Sequence, residues 1–225
     1  ADPHNVNNLA ADPAHQAVLQ DMRSRLGRKM REMPDLSYYP ESHLAAAAMQ
    51  NPTEFGRAHQ KEIATLADTA DLALLPFAEA RPRLLQAFAA DSPWVRYWAA
   101  MACTAFGEEA ADLGGEVEKL KDDPEPSVRL RAVEFLGRIG RMNPQPALVE
   151  LVNTTRDPIF ATEVLNSVVW FRDHFGGACP VQRSDFTTAL KDDGVERRLN
   201  YLDGNPYPEK AAAKAKKKAK AAPQR

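Results

Sequence analysis

Cysteine is nearly absent: Cys103 and Cys179 are the only two in 225 residues, too few for a disulfide framework, and with no Cys-x-x-Cys spacing for zinc. Cys103 lies inside a helical apolar run and Cys179 in a loop. The Val, Ile and Thr blocks of a sheet protein are missing as well. No stretch approaches the roughly 18 apolar residues of a membrane span, and the first residues carry no charged-then-apolar leader. There is no glycine-rich phosphate loop; Gly-Glu-Glu at 107–109 and Gly114-Gly115 read as helix ends. His4, His15, His43, His59 and His174 are scattered without the spacing of a zinc site. These absences exclude a sheet fold, a membrane span, a phosphate-loop enzyme and a zinc module.

What is present describes helices. Residues are 44% hydrophobic, with Ala-rich runs, Leu at helical spacing, 17 Pro and 11 Gly, which together predict an all-α chain of short, punctuated helices long enough to bury a core. The net charge of −2 hides an asymmetry. Lys210, Lys214, Lys216, Lys217, Lys218, Lys220 and Arg225 place seven cations on a tail without an acid, so residues 1–209 carry about −9. An acidic body argues against a nucleic-acid groove, while the tail could draw an acidic surface or a sulfated polymer by electrostatics. Its Lys/Ala composition without an apolar stripe predicts disorder for 210–225.

Residues 1–11 read as a polar turn segment, after which Asp12 caps a helix with Pro13 at its first position. Val18, Met22, Leu26, Met30 and Met33 recur every three or four residues until Pro34, which predicts a helix with one buried face. An Ala-rich helix over Ser42–Met49 follows, and Thr53 is expected to cap another that carries Phe55, Ile63 and Leu66. Residues 12–81 are thus expected to form a helical cap or linker region. Residues 176–209 should be an irregular end with a short amphipathic helix from Val195 to Leu202.

Between these, residues 82–175 repeat. Laying Asp91–Ala100 over the segment that begins at Glu125-Pro126 matches Pro93 to Pro126, Val95 to Val128, Arg96 to Arg129 and Ala99 to Ala132, and Gly107 then falls on Gly140. Asp157-Pro158 starts a fainter third copy through Val164, Leu165 and Val168. Each unit reads as an antiparallel helix pair that cannot bury its apolar face alone, so neighbours are expected to stack into a solenoid. The proline, Val-Arg and Ala pattern resembles HEAT repeats, which implies a HEAT-like solenoid behind an N-terminal helical cap.

A second resemblance lies at the opening. Asp2-Pro3-His4-Asn5-Val6-Asn7-Asn8-Leu9-Ala10-Ala11-Asp12-Pro13 is similar to the stretch near the C-terminus of sulfatase catalytic domains, where a Leu-Tyr-Asp-Leu strand runs into Asp-Pro-x-Glu-x-x-Asn-Leu-Ala and a helix. Here the strand is absent and Asn5-Val6 replaces the usual acid, while Asn8-Leu9-Ala10 and the helix start are in register. Asn51-Pro52-Thr53-Glu54-Phe55-Gly56, Leu74-Leu75-Pro76-Phe77 and Trp94-Val95-Arg96-Tyr97-Trp98 look similar to planctomycete-type sulfatases extended by helical repeats. The resemblance implies a parent enzyme that cleaves sulfate esters with a formylglycine nucleophile and calcium, and that is often secreted or periplasmic. The expectation is a C-terminal fragment that packs on a sulfatase catalytic domain in cis and carries neither the catalytic site nor these cofactors. A free-standing HEAT-repeat scaffold that binds a protein is the alternative.

Candidate sites are few. Cys179-Pro180-Val181-Gln182-Arg183 has the Cys-to-Arg spacing of a formylglycine frame, but its proline is one position early, and a plain loop cysteine is the reading we adopt. Asp122, Asp123, Asp192 and Asp193 flank helices and read as caps rather than calcium ligands. Trp94, Tyr97 and Trp98 beside Arg96 form a candidate interaction platform for a sugar or a peptide. The competing reading, which the pattern favours, seats the tryptophans in the seam between units and Arg96 in a ladder with Arg129. Trp170 and Phe171 carry the same ambiguity.

Overall fold

The protein is described from a computed structural model, over residues 6–175 and 179–204. The first four residues of the sulfatase-like opening, the glycines at 176–177 and the basic tail with its expected disorder lie outside the described residues. The described residues are helical, with no strand among them, and the chain divides into two compact units, residues 1–71 and 72–225.

In the first unit, Asp12 accepts from the Ala14 amide and Pro13 opens a 3-10 turn that runs into α1 (Gln16–Glu32). Next come α2 (Glu41–Ala47), α3 (Pro52–Ala58) and α4 (Gln60–Ala70). Asn51, not Thr53, caps α3: its side chain accepts from the Glu54 amide while Pro52 fills the first position, where no donor is needed. The core of this unit is α4, with Ile63, Leu66 and Ala67 buried.

The expected buried face of α1 is not formed. No residue of α1 is buried, and Val18, Met22 and Leu26 are 55–62% exposed. α1 packs on α4, and along it Gly27 and Arg31 beside the stripe, and Met30 at the stripe's end, are half-buried, while Arg31 pairs with Asp68. Periodicity marks an apolar stripe; it does not say which stripe its own chain covers.

In the second unit α5 (Phe77–Phe88) and α6 (Pro93–Phe106) form one pair. A 3-10 segment (Gly107–Leu113) leads into α7 (Gly114–Lys119), which packs on α8 (Pro126–Arg138). Then α9 (Gln145–Thr154) packs on α10 (Pro158–His174), and α11 (Asp193–Leu202) lies along α10. Proline opens α6, α8 and α10 alike. Glu125 and Asp157 cap the latter two by accepting from Ser127 and Ile159 amides.

Gly107 and Gly140, aligned by sequence, both end their helices at positive φ, 62° and 65°. At Gly140 the Arg141 amide reaches back to the Leu136 carbonyl and the Gly140 amide to that of Gly137, the paired closure of a Schellman end. α8 touches both α6 and α10. Gly137 permits the second approach, because a β-carbon there would stand 2.8 Å from the Phe171 ring. Below, Leu148, Phe160, Val164, Leu165, Val168 and Phe171 form one apolar core with Cys179, Val181, Phe186, Val195 and Leu199. The irregular stretch after α10 is therefore pinned by its own apolar side chains, and by Asn153, whose amide bonds Asp185 and Thr187.

Candidate functional site

Arg96 and Arg129 do the same thing at the starts of α6 and α8. Arg96 Nη1 donates to the carbonyls of Ala90 and Asp91, and Arg129 Nη1 to those of Asp123 and Pro124, six and five residues upstream in each case. Each arginine thereby closes the loop before its own helix and satisfies carbonyls that would otherwise be stranded. Arg96 also forks onto the Asp123 carboxylate, so Asp123 is the rung between the two arginines. Burial alone would raise the Asp123 carboxyl, but Arg96, the Glu125 amide and Arg129 outweigh it and hold it below its usual value. On α10 Ala161 stands three residues after Pro158, where α6 and α8 have arginine, and the ladder stops.

Of the candidate platform, Trp94 and Tyr97 are buried at 7% exposure, Trp98 is half-buried with its ring edge-on to Tyr97, and Arg96 is committed to Asp123. These four residues therefore do not share one open face.

The helix register brings a different set together. Five residues after their opening prolines, α6, α8 and α10 carry Trp98, Arg131 and Glu163, and eight residues after come Met101, Glu134 and Asn166. Helices side by side in one register turn these positions into a row. A cleft of about 410 Å³ opens there, lined by Thr104 of α6, Arg131 and Glu134 of α8, and Glu163, Asn166, Ser167 and Trp170 of α10.

Arg131 is its fixed centre. Its Nη1 donates to both Glu134 oxygens at 2.7 and 2.6 Å, and its guanidinium lies 5.1 Å from the centre of the Tyr97 ring. Its Nε is buried without a hydrogen-bond partner. Ser167 donates its hydroxyl to Glu134. Desolvation would lower the Arg131 pKa, yet Glu134, Tyr97 and Glu163 together push it up. On the rim, Arg198 of α11 donates to the Asn166 carbonyl oxygen. Arg131, Glu134 and Glu163 thus share the cleft, with Arg198 at its rim. No motif announced this cluster; the signal was available only by extending the alignment to the positions between the matched residues, where the repeats differ. A second cleft of about 410 Å³ opens beside Arg129, between Lys121 and Glu150.

The calcium and formylglycine of the sulfatase resemblance do not fit the residues here. Asp123 turns inward to Arg96, and Asp192 caps α11 by accepting from Gly194 and Val195. Among the described residues no group of three or more His, Cys, Asp or Glu converges as a metal site. Cys179 is fully buried, and burial pushes its thiol up to about 11. His43 and His59 each pack against Tyr39 and Phe55, with His59 stacked on Phe55 at 4.0 Å. Among the described residues no helix is long and apolar enough to cross a membrane. No family model, curated protein or solved structure matches the chain.

Proposed function

We propose that the chain is the C-terminal accessory region of a sulfatase-family hydrolase, a module that packs on that enzyme's catalytic domain through α1. The exposed stripe of Val18, Met22 and Leu26 carries this reading. Covering a side chain of this size contributes about 1.5–3 kcal/mol, and a contiguous apolar face left open by a chain's own fold marks a contact with something else. Val6 and Leu9, in the segment that resembles the sulfatase C-terminal motif, are exposed as well. The catalytic domain of that family is the partner the resemblance implies.

The test is the coding sequence upstream of Ala1, followed by expression of the longer chain. A Leu-Tyr-Asp-Leu strand and an earlier Cys-or-Ser-x-Pro-x-Arg frame, with hydrolysis of an aryl sulfate by the longer protein, support the reading. A start codon close to Ala1 sinks it.

A second reading, a free-standing HEAT-repeat scaffold that binds a protein, is favoured by the recurrence of opening proline, loop-closing arginine and positive-φ glycine across α6 and α8. In that reading α5 to α10 stack as three repeats of a solenoid whose second helices offer the binding face. A start codon near Ala1 would leave this reading standing.

A further inference from the structure

α1 carries more than an apolar stripe. Gln16–Glu32 holds five cations, Arg23, Arg25, Arg28, Lys29 and Arg31, against two acids, Asp21 and Glu32. Two of the cations are engaged: Arg25 pairs with Asp21 one turn away, and Arg31 with Asp68 of α4. Arg28 donates to the neutral Ser24 hydroxyl, and among the described residues Arg23 and Lys29 meet no carboxylate. With the pairs set aside, Arg23, Arg28 and Lys29 stand exposed against Glu32 alone. By helical spacing Lys29 follows Met22 at seven positions and extends the stripe, while Arg23 and Arg28 flank it on opposite sides. Their long stems can lie along whatever apolar surface covers Val18, Met22 and Leu26 while the charged ends reach its margin.

The rest of this unit has the other sign. Residues 33–71 hold Arg57 and Lys61 against Asp35, Glu41, Glu54, Glu62, Asp68 and Asp71. The positive charge of the unit is thus concentrated on the helix face that its own fold leaves uncovered. A second copy's α1 is a poor cover, because like charges would meet and three side chains fall far short of the roughly 800 Å² per partner of a stable interface. An anionic lipid surface suits the cations, but α1 has no Trp, Tyr or Phe to seat among headgroups, and Asp21 and Glu32 stand exposed on it. A protein surface that is apolar at its centre and acidic at its margin suits both the stripe and the cations. So small a face suffices when the partner belongs to the same chain, since the tether makes docking intramolecular.

We propose that the surface receiving α1 is an apolar groove rimmed by carboxylates, on the catalytic domain to which the chain is joined, and that Arg23, Arg28 and Lys29 pair with that rim. The rim rests on the reading of α1 as the contact with that domain, and adds to it the chemistry of the receiving side. Charge-assisted pairs at the margin fix the orientation of a stripe whose three apolar side chains alone would tolerate several.

The experiment compares the longer chain, expressed from its coding sequence, with the 225-residue chain, following oxidation of Met22 by dilute hydrogen peroxide and acetylation of Lys29 by acetic anhydride with mass spectrometry. Both should react several-fold more slowly in the longer chain. The difference should shrink as salt rises from about 0.1 to 1 M and the screening length falls from about 10 to 3 Å. Arg23→Glu with Arg28→Glu and Lys29→Glu should bring Met22 of the longer chain close to the rate of the shorter one, and glutamine at the same three positions should give an intermediate rate. All three positions are exposed, so melting temperatures should hold, and the glutamine set decides if the glutamate set does not fold. Protection of Met22 that ignores salt and both variants overturns the acidic rim and leaves the contact standing. Equal reactivity of Met22 in the two chains, or a start codon close to Ala1, removes the contact and the rim with it. Protection of Met22 in the shorter chain at micromolar concentration gives the face to a second copy. Protection by phosphatidylserine vesicles that phosphatidylcholine vesicles do not match gives it to a membrane, and either result overturns the rim.

Discussion

Arg96 and Asp123, 27 positions apart, meet fork to fork: Nε to one carboxylate oxygen at 2.6 Å and Nη2 to the other at 2.9 Å. The carboxylate is 4% exposed and the guanidinium 15%. This contact binds the start of α6 to the loop that precedes α8, while the Asp123 carbonyl accepts from Arg129 of the next helix. A buried pair of this kind contributes little over an apolar substitute but costs about 3–5 kcal/mol when one member is removed. Asp123→Ala is therefore expected to lower the unfolding free energy of the second unit by about 3 kcal/mol, the low end of that range, since Arg96 still meets some water. Urea denaturation checks it; a loss below about 1 kcal/mol would mean that the pair behaves as a surface pair.

The same carboxylate sets a pH dependence. Its folded pKa is depressed, so its contribution is fully present above the unfolded value of about 4 and is lost as pH falls through the lower folded value. Glu118, bonded by Arg141, and Asp173, bonded by Tyr201, are depressed too and give slopes of the same sign. The Asp123 share is isolated by difference. The stability gap between the native chain and Asp123→Asn should be constant near neutrality and narrow on acidification below about pH 4, measured by urea midpoints. A gap that widens in acid would reverse the sign.

The helices, their opening prolines and the pairing of Arg96 with Arg129 and Gly107 with Gly140 were legible because each depends on local rules: a missing donor, a loop carbonyl to close, a positive φ. The exposure of Val18, Met22 and Leu26 was not, since periodicity is blind to whether a partner face exists. The Arg131–Glu134–Glu163 cluster was hidden for a related reason. Its positions hold Trp98 and Met101 on α6, Arg131 and Glu134 on α8, and Glu163 and Asn166 on α10, so a search for likeness passes over them.

The two aligned glycines should not be equally tolerant of alanine. At Gly140 a β-carbon would meet nothing within 4 Å, and the residue sits in the left-handed region, so Gly140→Ala should cost about 1 kcal/mol from backbone preference alone. Gly107 has φ 62° and ψ −128°, outside that region, and its β-carbon would stand 2.9 Å from Arg138 Nε. Gly107→Ala should cost about 2–3 kcal/mol. Thermal melts of the two variants decide it, and equal losses would show that the Gly107 ψ and its approach to Arg138 have no energetic weight.

α1 offers a test in the opposite sense. Were its stripe part of the core, Met22→Gln with Leu26→Gln would cost several kcal/mol. Exposed as they are, the double variant should unfold within about 0.5 kcal/mol of the native chain. It should also self-associate less, as sedimentation at rising concentration would reveal. A large loss of stability would place the stripe inside the fold.

The two thiols give a test of the formylglycine-like frame. Burial pushes Cys103 up to about 12, with Asp112 adding to it, and Cys179 up to about 11, with Asp185 adding to it. The thiolate is the reactive species, so near pH 8 only a minute fraction of either sulfur is competent, and both are fully enclosed besides. An aromatic disulfide reagent should therefore leave the native chain untouched on the time scale of its mixing and release two equivalents once denaturant is added. Labelling in the native state should proceed no faster than local opening exposes the sulfurs. Because Cys179 packs with Val181 and Phe186 beneath α10 and α11, Cys179→Ser should destabilise the second unit by about 1–3 kcal/mol, as a hydroxyl is left in an apolar site. Prompt stoichiometric labelling of Cys179 in the folded chain would instead make it an accessible site and reopen its Cys-to-Arg spacing to chemistry.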